Sequence, residues 1–114
     1  MSRPAASPGG GEQRRQAMAR ATQRHAFGWL VFANTVGLGL GLLLLWPELN
    51  GAMSPFTYGR WMPVHLNGQL YGWCSVPLLG LLFAACLDWR HPHAHHHARV
   101  ALAAWSLAVA GGVV

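Results

Sequence analysis

The residue in this sequence best placed to do chemistry is His65, in the stretch FTYGRWMPVHLNGQLYGWCSVPLLGLL (residues 56–82), where a polar opening turns into an apolar helix. On a helix, Gly68, Gln69, Gly72 and Val76 follow His65 at spacings of three, four, seven and eleven and share its face. GQLYG is a small-xxx-small motif, which lets another helix backbone or a flat ligand lie close beside the imidazole. An ionisable side chain at such depth is expensive and marks a functional position by default. A neutral imidazole is a common axial ligand of haem iron, and a haem needs an apolar slot for its ring with cations near the interface for its propionates. Arg60, five residues earlier, is a candidate for that cation or for an arginine that snorkels to the membrane surface.

A second group of imidazoles, His91, His93, His95, His96 and His97, is louder by composition. Clustered imidazoles chelate copper, zinc or nickel. No cysteine or carboxylate is arranged with them as in a closed site, and the cluster reads as a solvated loop.

The elements that must position these residues follow from composition. Of the 114 residues 53% are hydrophobic and 10% are charged, against about 25% charged in ordinary soluble domains. That excludes the soluble class and indicates an all-α integral membrane protein. Lysine is absent, and of eight arginines five (Arg3, Arg14, Arg15, Arg20 and Arg24) precede a long apolar run. A basic arm in that place obeys the positive-inside rule rather than binding nucleic acid.

Residues 1–24 read as a disordered cytoplasmic arm, since RPAASPGGGEQ has nothing to bury; Arg14 to Arg24 suits a short surface helix. Residues 25–46 form a first transmembrane helix, with 21 uncharged residues from Ala26 to Trp46, enough for a hydrocarbon layer of about 30 Å. No cleavable signal peptide is evident. Gly37, Gly39 and Gly41 contain a second small-xxx-small pair, and Asn34 and Thr35 add buried polarity there; these read as packing features. Residues 47–61 form a periplasmic loop with Trp46, Phe56, Tyr58 and Trp61 as an aromatic belt. Residues 62–87 form a second span with Pro63 in its first turn and a kink at Pro77, which removes the hydrogen bond to the Trp73 carbonyl. Cys74 and Cys86 read as buried, unpaired thiols of that span.

Residues 88–99 form a His-rich cytoplasmic turn, and residues 100–114 a third transmembrane helix that is short or truncated. The arginines then place the N-terminus in the cytoplasm and His65 one turn below the outer surface.

With these residues in place, YGRWMPVHLNGQLYGW resembles the second helix of the haem-copper oxidase subunit I family, particularly C-type cytochrome c oxidases and nitric oxide reductases. A Gly-Arg-x-x-Pro-x-His segment opens that helix, matched here by Gly59, Arg60, Pro63 and His65. The resemblance spans roughly residues 26–114 and is specific over 58–80. It implies that His65 is an axial ligand of a low-spin haem b, with Arg60, Gly68 and Gly72 forming the cofactor surroundings. It implies respiratory electron transfer from cytochrome c to oxygen, or to nitric oxide. The other haem and copper ligands of the family have no counterpart, so the chain is expected to be an N-terminal portion, not catalytically competent alone. Its partners would be the remaining oxidase helices or subunits, membrane lipid and, indirectly, cytochrome c, in a bacterial inner membrane. Two other readings stand beside it: a small membrane protein whose His-rich loop binds metal, and a helical anchor in a larger complex.

Overall fold

The computed structural model describes residues 9–113, and all regular structure among them is helical. Helix α1 spans Gly9–Leu45, a short α2 spans Leu49–Ala52, α3 spans Tyr58–Cys86 and α4 spans Ala94–Val113. The bundle measures 73 × 19 × 17 Å.

Helix α1 joins the expected arm to the expected first span. The helix expected over Arg14 to Arg24 begins instead at Gly9 and runs on into the expected first span, so residues 9–13 are helical rather than disordered, and residues 1–8 lie outside the described part. The physical reason is a surface to fold against. Met18, Thr22 and Ala26 are buried, Met18 and Ala26 in one core with Val76, Trp89, Ala98 and Leu102. Burial of one apolar face supplies what the polar composition of the arm lacks. Glu12 in the first turn suits the positive end of the helix dipole, and the helix stops two residues before Pro47, which restricts the residue ahead of it.

Between α1 and α3 the chain is tied by Asn50. Its amide nitrogen donates to the carbonyls of Leu43 (3.5 Å) and Pro47 (3.4 Å), and its Oδ1 accepts from the backbone N–H of Tyr58 at 2.9 Å. One side chain thereby holds the end of one span against the start of the next. Helix α3 begins at Tyr58, four residues before the expected boundary, so Pro63 falls in its second turn rather than its first.

The expected distortion near Pro77 takes the form of a π-helical segment, Gly68–Cys74, immediately ahead of it. Proline removes one donor and crowds the carbonyl four residues back; widening the preceding turns accommodates both. Carbonyls of the wide turns find side-chain donors instead: Ser75 Oγ donates to Leu70 at 2.7 Å, and Trp105 Nε1 of α4 donates to Tyr71 at 2.8 Å.

Helices α1 and α3 run antiparallel and interlock at their small residues. A Cβ at Gly80 would lie 2.7 Å from Thr22, one at Gly72 2.5 Å from the Trp29 ring, and one at Gly68 3.1 Å from Ala33. At the end near Leu45 and Tyr58 the direction reverses, and a Cβ at Gly37 would lie 2.7 Å from Cε1 of His65. Each close approach exists because a glycine lacks a side chain there.

Cys74 and Cys86 are free thiols, but exposed rather than buried, because α3 turns its glycine face to α1 and leaves them outside. Asn34 and Thr35 are likewise exposed on this chain. Two helices, α1 and α3, are long and apolar enough to cross a membrane. Helix α4, with His95, His96 and His97 in its first turn, falls outside that description, and it packs alongside α1 and α3.

Candidate functional site

The half of the α1/α3 interface toward Leu45 and Tyr58 carries the candidate site. His65 lies in the second turn of α3, half-buried, with its ring against Gly37. Its Nδ1 is 2.7 Å from the backbone carbonyl of Ala33. A carbonyl only accepts, so Nδ1 carries the proton. In the neutral ring this leaves the lone pair on Nε2, as in histidines whose N–H is held by a carbonyl while the other nitrogen faces a metal. An Ala33 side chain shorter than its neighbours and a glycine one turn on make that carbonyl reachable.

One turn further along α3, Gln69 Nε2 donates to Asn34 Oδ1 at 3.2 Å. Asn34 follows Ala33, so two consecutive residues of α1 receive two residues of α3 one helical turn apart. The pair fixes rotation of the helices about each other as well as their register.

Gly68 and Gly72 are buried, and what covers them is α1, through Ala33 and the Trp29 ring. Of the two occupants a small-residue strip admits, a helix and a flat ligand, the helix takes this one. Trp29 in turn meets Phe32 edge-on at 5.7 Å. Arg60 is exposed in the first turn of α3. Five residues of α-helix set it about 7.5 Å from His65 along the axis but about 140° around it. The two therefore lie more than one turn apart near the Tyr58 end of α3 and do not share a face. The only ion pair among the described residues joins Arg15 to Glu12 at 3.8 Å, so Arg60 is not neutralised by a carboxylate there.

The histidine cluster divides. His91 and His93 lie in the turn, while His95, His96 and His97 begin α4. His93 and His97, one turn apart, stack at 6.3 Å between ring centroids. Among the described residues no group of three or more His, Cys, Asp or Glu side chains is arranged to hold a metal ion.

The residues that reading the sequence missed as part of the site are Gly37, Ala33 and Asn34. A signal for them existed: aligning the small-residue pattern of the first span with that of the second, in antiparallel order, puts Gly37 opposite His65. No known protein family, curated protein or solved structure matches this chain.

Proposed function

We propose that this chain is the N-terminal part of a haem-copper oxidase subunit I-like protein and contributes His65 as one axial ligand to a low-spin haem b. The observation that carries this reading is the hydrogen bond from Nδ1 of His65 to the Ala33 carbonyl, which leaves Nε2 as the ligating nitrogen. The resemblance of the segment YGRWMPVHLNGQLYGW, residues 58–73, to the second helix of that family supports it.

Iron protoporphyrin, when bound, would supply one-electron transfer. This chain's residues hold the imidazole in place: Ala33 fixes its tautomer, Gly37 makes room for its ring, and Asn34 with Gln69 keeps the two helices from rotating. Gly68 and Gly72, being covered by α1, act through helix packing rather than by facing the ring. Arg60 supplies positive charge at the outer level. The remaining ligands of the parent reaction, electron transfer from cytochrome c through haem to oxygen or nitric oxide, belong to other helices or subunits. In this reading α1 and α3 are joined by α4 as a short third span, the N-terminus is cytoplasmic, and the membrane is a bacterial inner membrane.

The test uses the detergent-solubilised chain with its five clustered histidines (91, 93, 95, 96 and 97) changed to alanine, which removes adventitious ligation. Haemin should bind at one equivalent, and added imidazole should convert the spectrum to the six-coordinate low-spin form. His65→Ala should abolish the signal and His25→Ala should leave it. A full signal in His65→Ala, or none in the parent chain, overturns the reading.

A second reading, a helical anchor in which His65 only packs, is favoured by the coverage of Gly68 and Gly72. His65→Asn separates the two, since its amide can donate to the Ala33 carbonyl but offers iron no imidazole. Haem binding undiminished in that variant would favour the anchor.

A further inference from the structure

Helix α1 carries a second pattern on the side it does not use for packing. Phe27, Val31, Asn34, Leu38 and Leu45 follow one another at spacings of four, three, four and seven, which keeps them on one narrow stripe. All five are exposed, the four apolar ones by 51% (Val31) to 75% (Leu38). The buried residues Thr22, Ala26 and Ala33 lie on the other side of the helix, where α3 and α4 pack.

Lipid tails alone could cover Phe27, Val31, Leu38 and Leu45. They do not satisfy Asn34. It stands near the middle of the 21 uncharged residues from Ala26 to Trp46, and Gln69, whose Nε2 donates to Asn34 Oδ1 at 3.2 Å, holds the same depth on α3. Among the described residues Asn34 Nδ2 and Gln69 Oε1 have no hydrogen-bond partner, and both carboxamides reach the surface of the chain. In hydrocarbon a free donor and a free acceptor call for partners on a neighbouring helix.

We propose that the stripe is the interface with a second copy of this chain, α1 packed in parallel against α1 with Asn34 at its centre. The free groups decide the partner. They are a donor and an acceptor side by side, so the Asn34 and Gln69 pair is complementary to itself. Two copies inserted in the same direction are related by a two-fold axis along the membrane normal, which sets each residue opposite its counterpart at its own depth. Asn34 Nδ2 of each copy then meets a carboxamide oxygen of the other. The alternation of four and three is the spacing of a two-stranded seam, and a single asparagine in such a seam fixes both register and strand number. The inference rests on α1 lying in a membrane and not on haem, and its readout is self-association, with His65 unaltered throughout.

The test is cysteine cross-linking of the full chain in membranes, in a background with Cys74→Ala and Cys86→Ala. Phe27→Cys, Val31→Cys, Leu38→Cys and Leu45→Cys should each give a disulfide-linked dimer on oxidation with copper phenanthroline. Gly28→Cys and Leu44→Cys should not, although both positions are exposed and each adjoins a stripe residue. In detergent, energy transfer between labelled copies should show Asn34→Leu weakening self-association about ten-fold. Asn34→Gln keeps a donor and an acceptor and should recover most of that loss. Far-ultraviolet circular dichroism checks that each variant keeps its helices. The proposal is overturned if Leu44→Cys links as readily as Leu45→Cys, if the parent chain stays monomeric at every dilution, or if Asn34→Leu associates as tightly as the parent, since lipid or another protein's helix would then cover the stripe.

Discussion

At the scale of single residues, the site depends on what is missing from Gly37. Gly37→Ala would put a methyl group 2.7 Å from Cε1 of His65, so the ring must leave the Ala33 carbonyl. Overpacking of this kind costs about 1–3 kcal/mol, and the haemin signal should fall with it, as an absorbance titration would record. Gly72→Ala meets the Trp29 ring at 2.5 Å and should loosen the bundle by a similar amount without touching His65. Gly28→Ala is the control: its surroundings are open, and a mid-helix glycine-to-alanine change with room to spare stabilises by about 0.5–1 kcal/mol. If Gly28→Ala and Gly72→Ala shift the thermal unfolding midpoint equally, the interlocking account fails.

At the scale of elements, the wide turns of α3 matter because they hand a carbonyl to α4. Trp105→Phe keeps most of the ring and removes only the donor to Tyr71. It should cost about 0.5–1.5 kcal/mol and detach α4, detectable as faster proteolysis of the turn after Asp88. An unchanged cleavage rate would mean that the hydrogen bond does not hold α4. Much of this level was legible beforehand. Uncharged runs marked the two helices long and apolar enough to cross a membrane, Pro77 marked a distortion, and the glycine spacing marked an interface. The short helix over Arg14 to Arg24 was legible, but not its start at Gly9 or its packing, because these come from Met18 and Thr22 meeting residues more than fifty positions away. The same holds for the Ala33 carbonyl: backbone groups have no sequence signature, and only the pairing of α1 with α3 reveals which one His65 reaches. The exposure of Cys74 and Cys86 follows from the rotation of α3, which a lone helix pattern leaves open.

At the scale of the whole molecule, the arginines set orientation in the proposed bilayer. In a background with Cys74→Ala and Cys86→Ala, a cysteine at Ser54 should react with an impermeant maleimide in spheroplasts, and one at His96, exposed at the start of α4, only after lysis; the reverse pattern would invert the molecule and put His65 at the inner face. The interlocked glycines carry a mechanical consequence. Sliding α1 by one turn, about 5.4 Å, toward its own N-terminus would bring Gly41 to His65, Gly37 to Gly68, Ala33 to Gly72 and Ala26 to Gly80, small residues at every crossing. A slide the other way would drive Trp29 into Gly68 and is blocked. On glycine spacing alone this interface has two sterically open stops, and the chain rests at the one that seats Trp29 in the notch of Gly72, where the contacts to Ala33 and Asn34 hold the register. Gly41→Leu alone should be nearly silent, since that position is open. Combined with Gly37→Ala it should cost more than the two changes separately, because it closes the second stop.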